Sequence, residues 1–360
     1  MPTCADLTEK ALNGRRLTPA EGVRLLTGYP LAELGGLSQS VRLSRLPRRA
    51  VTFVADTNPN YTNICEARCP FCAFSRNPGQ EGAYTLGVKE VVEKARWAQT
   101  AGATTLLLQG GLNSQLPFSY YLELIEALKE GVPGMHLHLF SAPEIQLMAR
   151  VSGKNVREVL KELWNAGLRT LPGGGAEVLS DRVRSRLAAG EGRPKATVRE
   201  WIEVHEAAHR IGFKSTATMM YGHLEEPEDV IGHLEAIRAL QDETGGFTAF
   251  VPWSFKSANT RLASNCRAAA GPAAYLRHIA VARLFLDNFD HIQASWFSEG
   301  KSIGQIALHF GADDFGGILL EENVHRESGF VNKATADEVK QLIGDAGFTP
   351  VQRNTLYIQI

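Results

Sequence analysis

The sequence predicts an α/β protein folded as a TIM-type (β/α) barrel, preceded by a helical extension. Short apolar runs alternate with amphipathic stretches of helical length along the 360 residues, which is the pattern of repeated βα units. Polar and glycine-rich turns follow the apolar runs, at the positions where such barrels carry their functional groups. No long low-complexity segment interrupts this alternation, so a single barrel accounts for most of the chain.

The alternation divides into eight strand–helix units with a segment on either side. The sequence predicts helices outside the barrel for residues 1–50. It predicts the barrel for residues 51–333, with a loop at 58–76, and a closing segment for residues 334–360. That last segment contains a predicted helix at 334–346. The predicted strands are 51–56, 104–109, 136–141, 168–172, 213–220, 247–253, 291–296 and 317–320, and the predicted helices include 88–100, 118–129, 156–165, 198–211, 227–241 and 271–287.

Composition and charge exclude several classes of protein. The chain carries 38 basic and 39 acidic residues, so no charge excess points to nucleic acid or to an anionic membrane. No apolar run reaches the ~18 residues that a membrane-spanning helix needs. The first residues are polar and lack the apolar core of a signal peptide, and the few cysteines suit a reducing compartment. We therefore expect a cytoplasmic protein.

Three of the five cysteines, Cys65, Cys69 and Cys72, stand at the spacing C-x3-C-x2-C. This spacing predicts the ligands of a 4Fe–4S cluster, in which three thiolates leave the fourth iron free to bind a small molecule. A zinc site is the alternative, but it needs a fourth ligand in a paired spacing, which neither Cys4 nor Cys266 provides. The loop follows the first predicted strand, so the cluster should lie at the barrel mouth.

Two glycine-rich turns follow predicted strands, and each has more than one interpretation. Gly110 and Gly111, after Gln109, can expose backbone amides to an amino-acid group of a ligand, or can simply allow a tight turn. The run from Pro172 to Glu177 lacks the spacing of a dinucleotide fingerprint. Its glycines permit close approach of a ligand, with Glu177 binding hydroxyls or taking a proton, unless Glu177 only caps the turn.

Other polar and aromatic residues follow or lie within predicted strands. Tyr221 and Glu225 come after the fifth strand, where Glu225 either accepts ligand hydroxyls or belongs to the start of a helix. In the third strand His136 and His138 alternate with apolar residues, and we expect one of them to point into the barrel, either as a hydrogen-bonded core histidine or as a catalytic one. The residues that form either apolar walls for an aromatic substrate or simply core are Trp253, Phe255, Trp296 and Phe297.

His205 and His209, with Glu206 between them, have the zinc-protease spacing H-E-x-x-H on a predicted helix. The third-ligand position of the longer protease pattern holds Ser215 instead of a metal ligand. Barrel helices also pack on the outside of the sheet, away from the mouth. We therefore expect no zinc site here.

With these motifs in place, the chain resembles the radical S-adenosylmethionine superfamily. The cysteine motif with an aromatic residue, Phe71, before its last cysteine is the pattern of that superfamily. Most of the chain beyond residue 50 is similar to one branch, which contains the futalosine-route enzymes of menaquinone biosynthesis and the deazaflavin synthase. The segments that carry this resemblance are 60–65, 72–74, 108–111, 172–177, 241–247 and 286–288.

Within that branch, different segments favour different activities. One group of enzymes in this branch, the sister enzymes, catalyses radical addition to an enolpyruvyl-ether benzoate. These sister enzymes tend to have a leucine–alanine pair at the positions of Trp253 and Ser254. Two segments, 221–223 and 308–310, nevertheless resemble the sister enzymes. The segments that resemble enzymes cyclising dehypoxanthine futalosine are 216–220, 250–255, 292–296 and 321–324.

The resemblance implies a 4Fe–4S cluster and S-adenosylmethionine as cofactors, with the three cysteines as iron ligands. It also implies a one-electron reductant such as flavodoxin or ferredoxin, and dehypoxanthine futalosine as the small-molecule substrate. The benzoate carboxylate of that substrate needs donors, for which Arg283, Asn259 and backbone amides are candidates that the sequence does not choose between. The implied cofactor contacts are Phe71, Gln109, Gly110, Gly111, Ser141 and Glu177, and the candidate bases for the ring proton are Glu177, Glu225, Tyr221 and His138.

Overall fold

The N-terminal part of the chain is helical. The computed structural model describes residues 3–46, 49–187, 195–266 and 270–360. Its first helices are α1 (Cys4–Leu12), α2 (Pro19–Gly28) and α3 (Leu31–Arg45). α1 and α2 both begin with a capping box, in which a threonine side chain and an acidic side chain three residues later each accept a backbone N–H of the other. These helices form the predicted extension outside the barrel.

Short strands and helices alternate through the rest of the described chain. The strands are β1 (Ala50–Val54), β2 (Asp56–Thr57), β3 (Thr105–Leu108), β4 (His136–Leu139), β5 (Thr170–Leu171), β6 (Lys214–Tyr221), β7 (Phe247–Ser254), β8 (His291–Ile292), β9 (Asp314–Gly317) and β10 (Thr349–Gln352). The helices are α4 (Val88–Thr100), α5 (Phe118–Gly131), α6 (Ala142–Ser152), α7 (Val156–Ala166), α8 (Asp181–Leu187), α9 (Val198–Ile211), α10 (Pro227–Thr244), α11 (Pro272–Phe285), α12 (Lys301–Ala307), α13 (Val324–Glu327) and α14 (Ala336–Asp345). Across the described residues, no helix combines the length and the apolar character needed to span a bilayer.

The strands close into one parallel barrel. β2 to β8 lie in sequence order in a single parallel sheet. β9 fills the gap between β8 and β1, because the Ala294 N–H donates to the Asp314 carbonyl at 2.7 Å and the Ile318 N–H donates to the Val54 carbonyl at 3.0 Å. The helices surround the strands and bury one continuous apolar core against them. The prediction of a TIM-type barrel is therefore confirmed.

The chain after the last strand forms a floor under the barrel. β10 pairs in parallel with β1, and the residues that follow it contact the beginnings of barrel strands. Arg353 pairs with Asp314 at the start of β9, and Tyr357 stacks on the His291 ring at the start of β8, with 3.6 Å between ring centroids. Strand beginnings lie at the end of a parallel barrel opposite its mouth. This segment therefore closes the lower end.

Several barrel elements differ from the prediction, among them the last strand and one helix. The last strand is Asp314–Gly317 rather than 317–320, because Leu319 adopts a left-handed φ of 50°, which ends the regular extension. α6 has no counterpart among the predicted helices. Pro143 occupies its first turn, where the missing N–H of proline costs the helix no hydrogen bond.

Candidate active site

The carboxyl ends of the strands surround a central cavity with an upper and a lower part. The upper part, about 190 Å³, lies at the loop that follows β2, and the lower part, about 230 Å³, lies inside the barrel. Residues after β2, β3, β5 and within β7 line both parts, so the two adjoin. These shared residues include Asn58, Gln109, Gly174, Gly175, Glu177 and Trp253.

The three predicted iron ligands meet at the upper part of the cavity. Cys65, Cys69 and Cys72 all line it as free thiols, Cys69 buried and the other two partly exposed. Among the described residues no other cysteine and no histidine lines this part, which leaves one iron of a cubane without a protein ligand. Nowhere in the described ranges do three such side chains converge on a single ion, whereas a cubane takes each thiolate at a different iron. The residues present fit a 4Fe–4S cluster better than a zinc ion.

Backbone hydrogen bonds hold the cysteine loop between two neighbouring loops. The Glu66 N–H donates to the Leu112 carbonyl at 2.9 Å, in the loop after β3. On the other side, the Leu262 N–H donates to the Pro70 carbonyl at 2.9 Å, from the loop after β7. The barrel therefore fixes the position of the loop from both sides.

Gly110 and Gly111 are glycines because the turn after β3 packs directly against the cysteine loop. A Cβ atom at Gly110 would lie 2.5 Å from the Tyr61 ring, and one at Gly111 would lie 2.3 Å from the Ile64 carbonyl oxygen. Neither residue has a positive φ, so the turn does not need glycine for its backbone angles. The close approach brings this turn, with Gln109, to the wall of the upper cavity.

The amides of the same turn are already used inside the protein, which differs from the expectation. The Gly110 N–H donates to Glu144 Oε1 at 3.0 Å, and the Gly111 N–H donates to the Thr62 carbonyl at 2.8 Å. The Gln109 and Gly111 carbonyls accept hydrogen bonds from the Asn60 side chain and the Asn113 N–H. The turn can therefore offer a ligand the second lone pairs of its carbonyl oxygens and the Gln109 side chain. Contact with S-adenosylmethionine through this turn stays a proposal, in which the ammonium group is the partner that such oxygens suit.

Glu144 is a buried residue of the site that the sequence prediction missed. Its carboxylate accepts the Ser141 N–H at 2.7 Å, the Ser141 hydroxyl at 2.6 Å and the Tyr61 hydroxyl at 2.6 Å, besides the Gly110 N–H. Burial raises the pKa of Glu144, and these donors offset only part of that rise. The signal in the sequence is the capping-box spacing Ser-x-x-Glu that starts at Ser141. Ser141 itself, a candidate cofactor contact, lines the upper cavity.

The glycine run after β5 wraps around Gln109. A Cβ atom at Gly174 would lie 2.2 Å from the Gln109 amide nitrogen, and Gly175 has a left-handed φ of 83°. Arg184 holds the run in place by donating to the Gly175 carbonyl at 3.1 Å. Glu177 follows with a φ of 48°, which is strained for a residue other than glycine. This geometry turns Glu177 toward both parts of the cavity.

Lys195 is a second residue that the sequence prediction missed. Its ammonium group donates to Glu177 Oε1 at 2.6 Å and lies 5.2 Å from the centre of the Phe71 ring. Burial alone would raise the pKa of Glu177, but Lys195 holds it below its usual value. Burial also raises the pKa of Cys69 to about 12 and that of Cys72. These thiols thus keep their protons until iron displaces them.

His138 lines the lower cavity and shares a hydrogen-bond partner with His136. The Thr170 hydroxyl oxygen lies 3.1 Å from the Leu137 carbonyl oxygen, 2.9 Å from His138 Nδ1 and 2.9 Å from His136 Nε2. Since a hydroxyl has a single hydrogen to donate, at least one of the two imidazoles donates to it. When His138 Nδ1 is the donor, His138 Nε2 is an acceptor. Burial holds the pKa of His138 well below its usual value, so the ring is neutral.

Tyr221 lies outside the central cavity, contrary to its prediction as a base. Along β6, Thr216 and Thr218 face the lower cavity. Since side chains alternate along a strand, Tyr221 points outward, where it stacks on the His278 ring with 3.8 Å between centroids. It cannot reach a substrate inside the barrel from this side of the sheet.

Glu225 also lies outside the central cavity. It accepts the N–H groups of both Gly222 and His223, the latter at 2.9 Å, and so stabilises the turn after β6. With Tyr221 it lines a separate hollow between this turn and α11. Of the four candidate bases, only His138 and Glu177 therefore face the central cavity.

Of the four aromatic residues considered as walls for a substrate, two line the central cavity and two belong to the core. Trp253 lines both parts of the cavity, and Phe297 lines the lower part. Phe255 and Trp296 are buried in the core, and the Trp296 indole donates to the Gly317 carbonyl at 2.9 Å. Only the first two can contact a substrate.

Neither residue proposed as a donor to the benzoate carboxylate lines the central cavity. Arg283 is fully buried in α11, where it pairs with Asp313 and donates to the Gly311 carbonyl at 2.8 Å. The Asn259 amide donates to the Glu327 carbonyl at 2.9 Å, close to the surface. Both residues stabilise the fold and leave the carboxylate without the predicted partners.

The H-E-x-x-H motif is part of the packing between α9 and the sheet. His205 Nδ1 and His209 Nε2 lie 3.0 and 2.7 Å from the Ser215 hydroxyl, and His209 Nδ1 lies 2.8 Å from the Thr244 hydroxyl. Glu206 points away and pairs with Arg210. The residue at the third-ligand position, Ser215, thus bridges the two histidines.

The same arrangement of barrel and extension is found in a solved structure. The crystal structure of methylornithine synthase (PylB) superposes with a TM-score of 0.74 over 96% of this chain and 97% of that chain, at 18% sequence identity. At this identity the likeness shows the fold alone. Fold and three-thiol loop together define the class of barrel that radical S-adenosylmethionine chemistry uses.

Family models and curated relatives identify the family. Residues 59–237 match the radical SAM superfamily model, and residues 244–359 match the CofH/MqnC C-terminal region. The chain is 38% identical over 351 residues to the cyclic dehypoxanthine futalosine synthase of Halalkalibacterium halodurans, covering 98% of this chain and 93% of the relative. It is 38% identical to the aminodeoxyfutalosine synthase of Thermus thermophilus, covering 100% and 96%.

A third relative has another name. The 5-amino-6-(D-ribitylamino)uracil–L-tyrosine 4-hydroxyphenyl transferase of Methanopyrus kandleri is 43% identical over 313 residues, covering 85% of this chain and 84% of the relative. The chain belongs to the radical S-adenosylmethionine superfamily, in the branch of these three relatives. It is accordingly an enzyme whose cofactors are a 4Fe–4S cluster and S-adenosylmethionine, with Cys65, Cys69 and Cys72 placed to bind the cluster.

Proposed function

We propose that this enzyme cyclises dehypoxanthine futalosine to cyclic dehypoxanthinyl futalosine, a step of menaquinone biosynthesis. The reaction removes the C4′ hydrogen of the ribose, joins C4′ to the benzoate ring, and restores the aromatic ring by loss of a proton and an electron. When bound, the cluster and S-adenosylmethionine supply the 5′-deoxyadenosyl radical that takes the hydrogen atom. The residues of the chain must place that hydrogen correctly, exclude water and accept the ring proton.

The observation that carries this proposal is the position of His138 in the lower part of the cavity, next to the upper part that the three cysteines line. With its proton on Nδ1, toward Thr170, the ring has Nε2 available for the ring proton of the substrate. Burial makes His138 a weak base, but the proton it takes is acidic, since its loss restores aromaticity. Glu177, held by Lys195 beside the cysteines, is better placed to accept hydroxyl groups of the cofactor ribose.

Trp253 supports the cyclase over its sister reaction. It belongs to the segment by which the chain resembles the cyclising enzymes, and its indole lines both parts of the cavity. A flat apolar side chain at this position offers a stacking surface to a benzoate ring. Addition to an enolpyruvyl-ether benzoate, in contrast, leaves the ring protons in place and does not require His138 as a base.

We further propose a one-electron reductant, such as flavodoxin or ferredoxin, and a location in the cytoplasm. Cys65 and Cys72 are partly exposed at the barrel mouth, where a docked donor would come near the cluster. All five cysteines are free thiols, which suits a reducing compartment.

The test is an anaerobic assay of the reconstituted enzyme with S-adenosylmethionine, dithionite and dehypoxanthine futalosine, read by mass spectrometry. The expected result is a product two hydrogen atoms lighter than the substrate, with 5′-deoxyadenosine formed beside it. Parallel assays contain the enolpyruvyl-ether benzoate, or L-tyrosine with 5-amino-6-(D-ribitylamino)uracil. Product from either of these, and none from dehypoxanthine futalosine, would overturn the cyclase proposal.

The role of His138 has its own test, with His136 as the matched control. His138→Gln should still form 5′-deoxyadenosine but little cyclic product, because hydrogen abstraction precedes loss of the ring proton. His136→Gln changes the other partner of Thr170, which does not line the cavity, and should keep most of the product. Equal product from His138→Gln and the wild type would exclude His138 as the base.

A further inference from the structure

We infer that the floor of the barrel recognises the carboxylate of an aryl acid, with Arg353 as the binding residue. This inference rests on the proposed function and deepens it, because it assigns the benzoate end of the substrate to the lower cavity. The residues first considered for this role, Arg283 and Asn259, lie outside the cavity, as described above. The carboxylate therefore needs another partner.

Arg353 is the only lysine or arginine among the described residues that line the lower cavity. It is 2% exposed, and its Nε and Nη2 groups donate to the Asp314 carboxylate, Nη2 at 2.9 Å. Nη1 donates to the Asn354 carbonyl at 3.1 Å. A guanidinium carries five N–H donors, so these three bonds leave a donor on each Nη nitrogen for a ligand. The pair with Asp314 keeps the cation fixed and desolvated before the ligand arrives.

Neutral donors and one further acid, Asp56, lie around the guanidinium at the floor. Asp56 is in register with Thr105, and its carboxylate accepts the Leu319 N–H at 2.9 Å. The Thr355 hydroxyl donates to the Thr105 hydroxyl, and Gln293 Nε2 donates to the Tyr357 hydroxyl, both at a long 3.4 Å. Thr105 and Tyr357 act as acceptors in these contacts, so their own hydroxyl hydrogens are left to donate. A carboxylate only accepts hydrogen bonds, which makes it the group that such a set of donors around a cation suits.

The heights of the cavity-lining residues along β3 and β4 agree with this position of the carboxylate. Along β3, Thr105, Leu107 and Gln109 line the cavity at successive heights, two residues or about 6.6 Å apart. Leu107 is in register with His138 of β4. A carboxylate at the level of Thr105 therefore puts the aryl ring beside His138 and the ribose near Gln109, below the cysteine loop. This order matches the chemistry, which needs the base at the ring and the radical at the ribose.

The property to test is the preference of the enzyme for a substrate carboxylate over a carboxamide. The holoenzyme with S-adenosylmethionine is assayed with dehypoxanthine futalosine and with its benzamide analogue. Tyr357→Phe and Thr105→Val each remove one donor while keeping the shape of the floor. Tyr275→Phe, a buried tyrosine of α11 outside the cavity, is the matched control. We expect the wild type to prefer the acid in KM by about 10- to 100-fold, and the floor variants, but not the control, to lose part of that preference.

Arg353 itself needs a paired substitution, because its loss alone leaves the Asp314 carboxylate buried and unpaired. The double variant Arg353→Gln/Asp314→Asn keeps a neutral hydrogen-bonded pair and should bind acid and amide alike. Direct binding of 3-methoxybenzoate, followed by calorimetry, should weaken in the same variant. An unchanged preference for the acid would overturn the inference, even if the wild type forms the cyclic product. Arg353-dependent binding of 3-methoxybenzoate without any cyclic product would instead overturn the proposed substrate and keep the aryl-acid site.

Discussion

Replacing Gly111 with alanine should displace the cysteine loop from the turn after β3. The added Cβ would lie 2.3 Å from the Ile64 carbonyl oxygen and 3.0 Å from Cys65 Cβ, whereas ordinary contacts begin at 3.4 Å. The loop must therefore retreat by roughly 1 Å, since the obstructing oxygen belongs to the backbone and no side-chain rotation removes it. Overpacking of this kind costs about 1–3 kcal/mol. The displacement acts directly on an iron ligand, Cys65.

The assay is iron and acid-labile sulfide per chain after anaerobic reconstitution, with urea unfolding of the same samples. Gly111→Ala should bind less iron than the wild type, because Cys65 no longer holds its position relative to Cys69 and Cys72. Gly36→Ala is the control, since Gly36 lies in α3 with no atom within 4 Å of its added Cβ. That variant should keep its iron and gain about 0.5–1 kcal/mol, because alanine favours a helix over glycine. A full complement of iron in Gly111→Ala would refute the reasoning.

Arg283→Met should lower the free energy of unfolding by about 3–5 kcal/mol, because it leaves the buried Asp313 carboxylate unpaired. Urea unfolding measures the loss of stability. A variant as stable as the wild type, with only a raised KM, would contradict this structural role. The double variant His205→Gln/His209→Gln should keep the zinc content of the wild type, since both rings hydrogen-bond Ser215. A fall in bound zinc, measured by metal analysis, would show that the motif is a zinc site. Lys195→Met should weaken S-adenosylmethionine binding increasingly as the pH falls, because without the lysine burial raises the pKa of Glu177 and the carboxylate becomes protonated. Lys195→Arg should restore binding. A pH-independent affinity of Lys195→Met for S-adenosylmethionine would exclude the role of Glu177.

The barrel and the iron ligands were predictable because their signals are local in the sequence. Alternating apolar runs report strands and helices directly, and the spacing of Cys65, Cys69 and Cys72 reports their ligand role within eight residues. The position of Gln109 at the mouth follows from the rule that loops after parallel strands meet at one end. None of these inferences requires knowledge of which side chains face inward.

The rest of the site depends on information that single residues do not carry. The sequence predicts Tyr221 at the mouth because it ends a strand, but whether its side chain faces the cavity depends on the alternation within β6. Lys195 and Arg353 lie 18 and 39 positions from their partners Glu177 and Asp314, so no spacing rule connects them. Such ion pairs become visible only when the register of the strands and the path of the loops are known.

The four hydrogen bonds that Glu144 accepts have a consequence for how the metal centre is assembled. They use the full acceptor capacity of a carboxylate and join the loops after β2, β3 and β4 without any metal. Most of the conformational entropy of ordering the thiols is thus lost when the barrel folds, and little is left to lose when iron arrives. We therefore expect chelators to strip the cluster and leave a folded apoprotein that reloads readily, unlike small zinc domains that unfold without their metal.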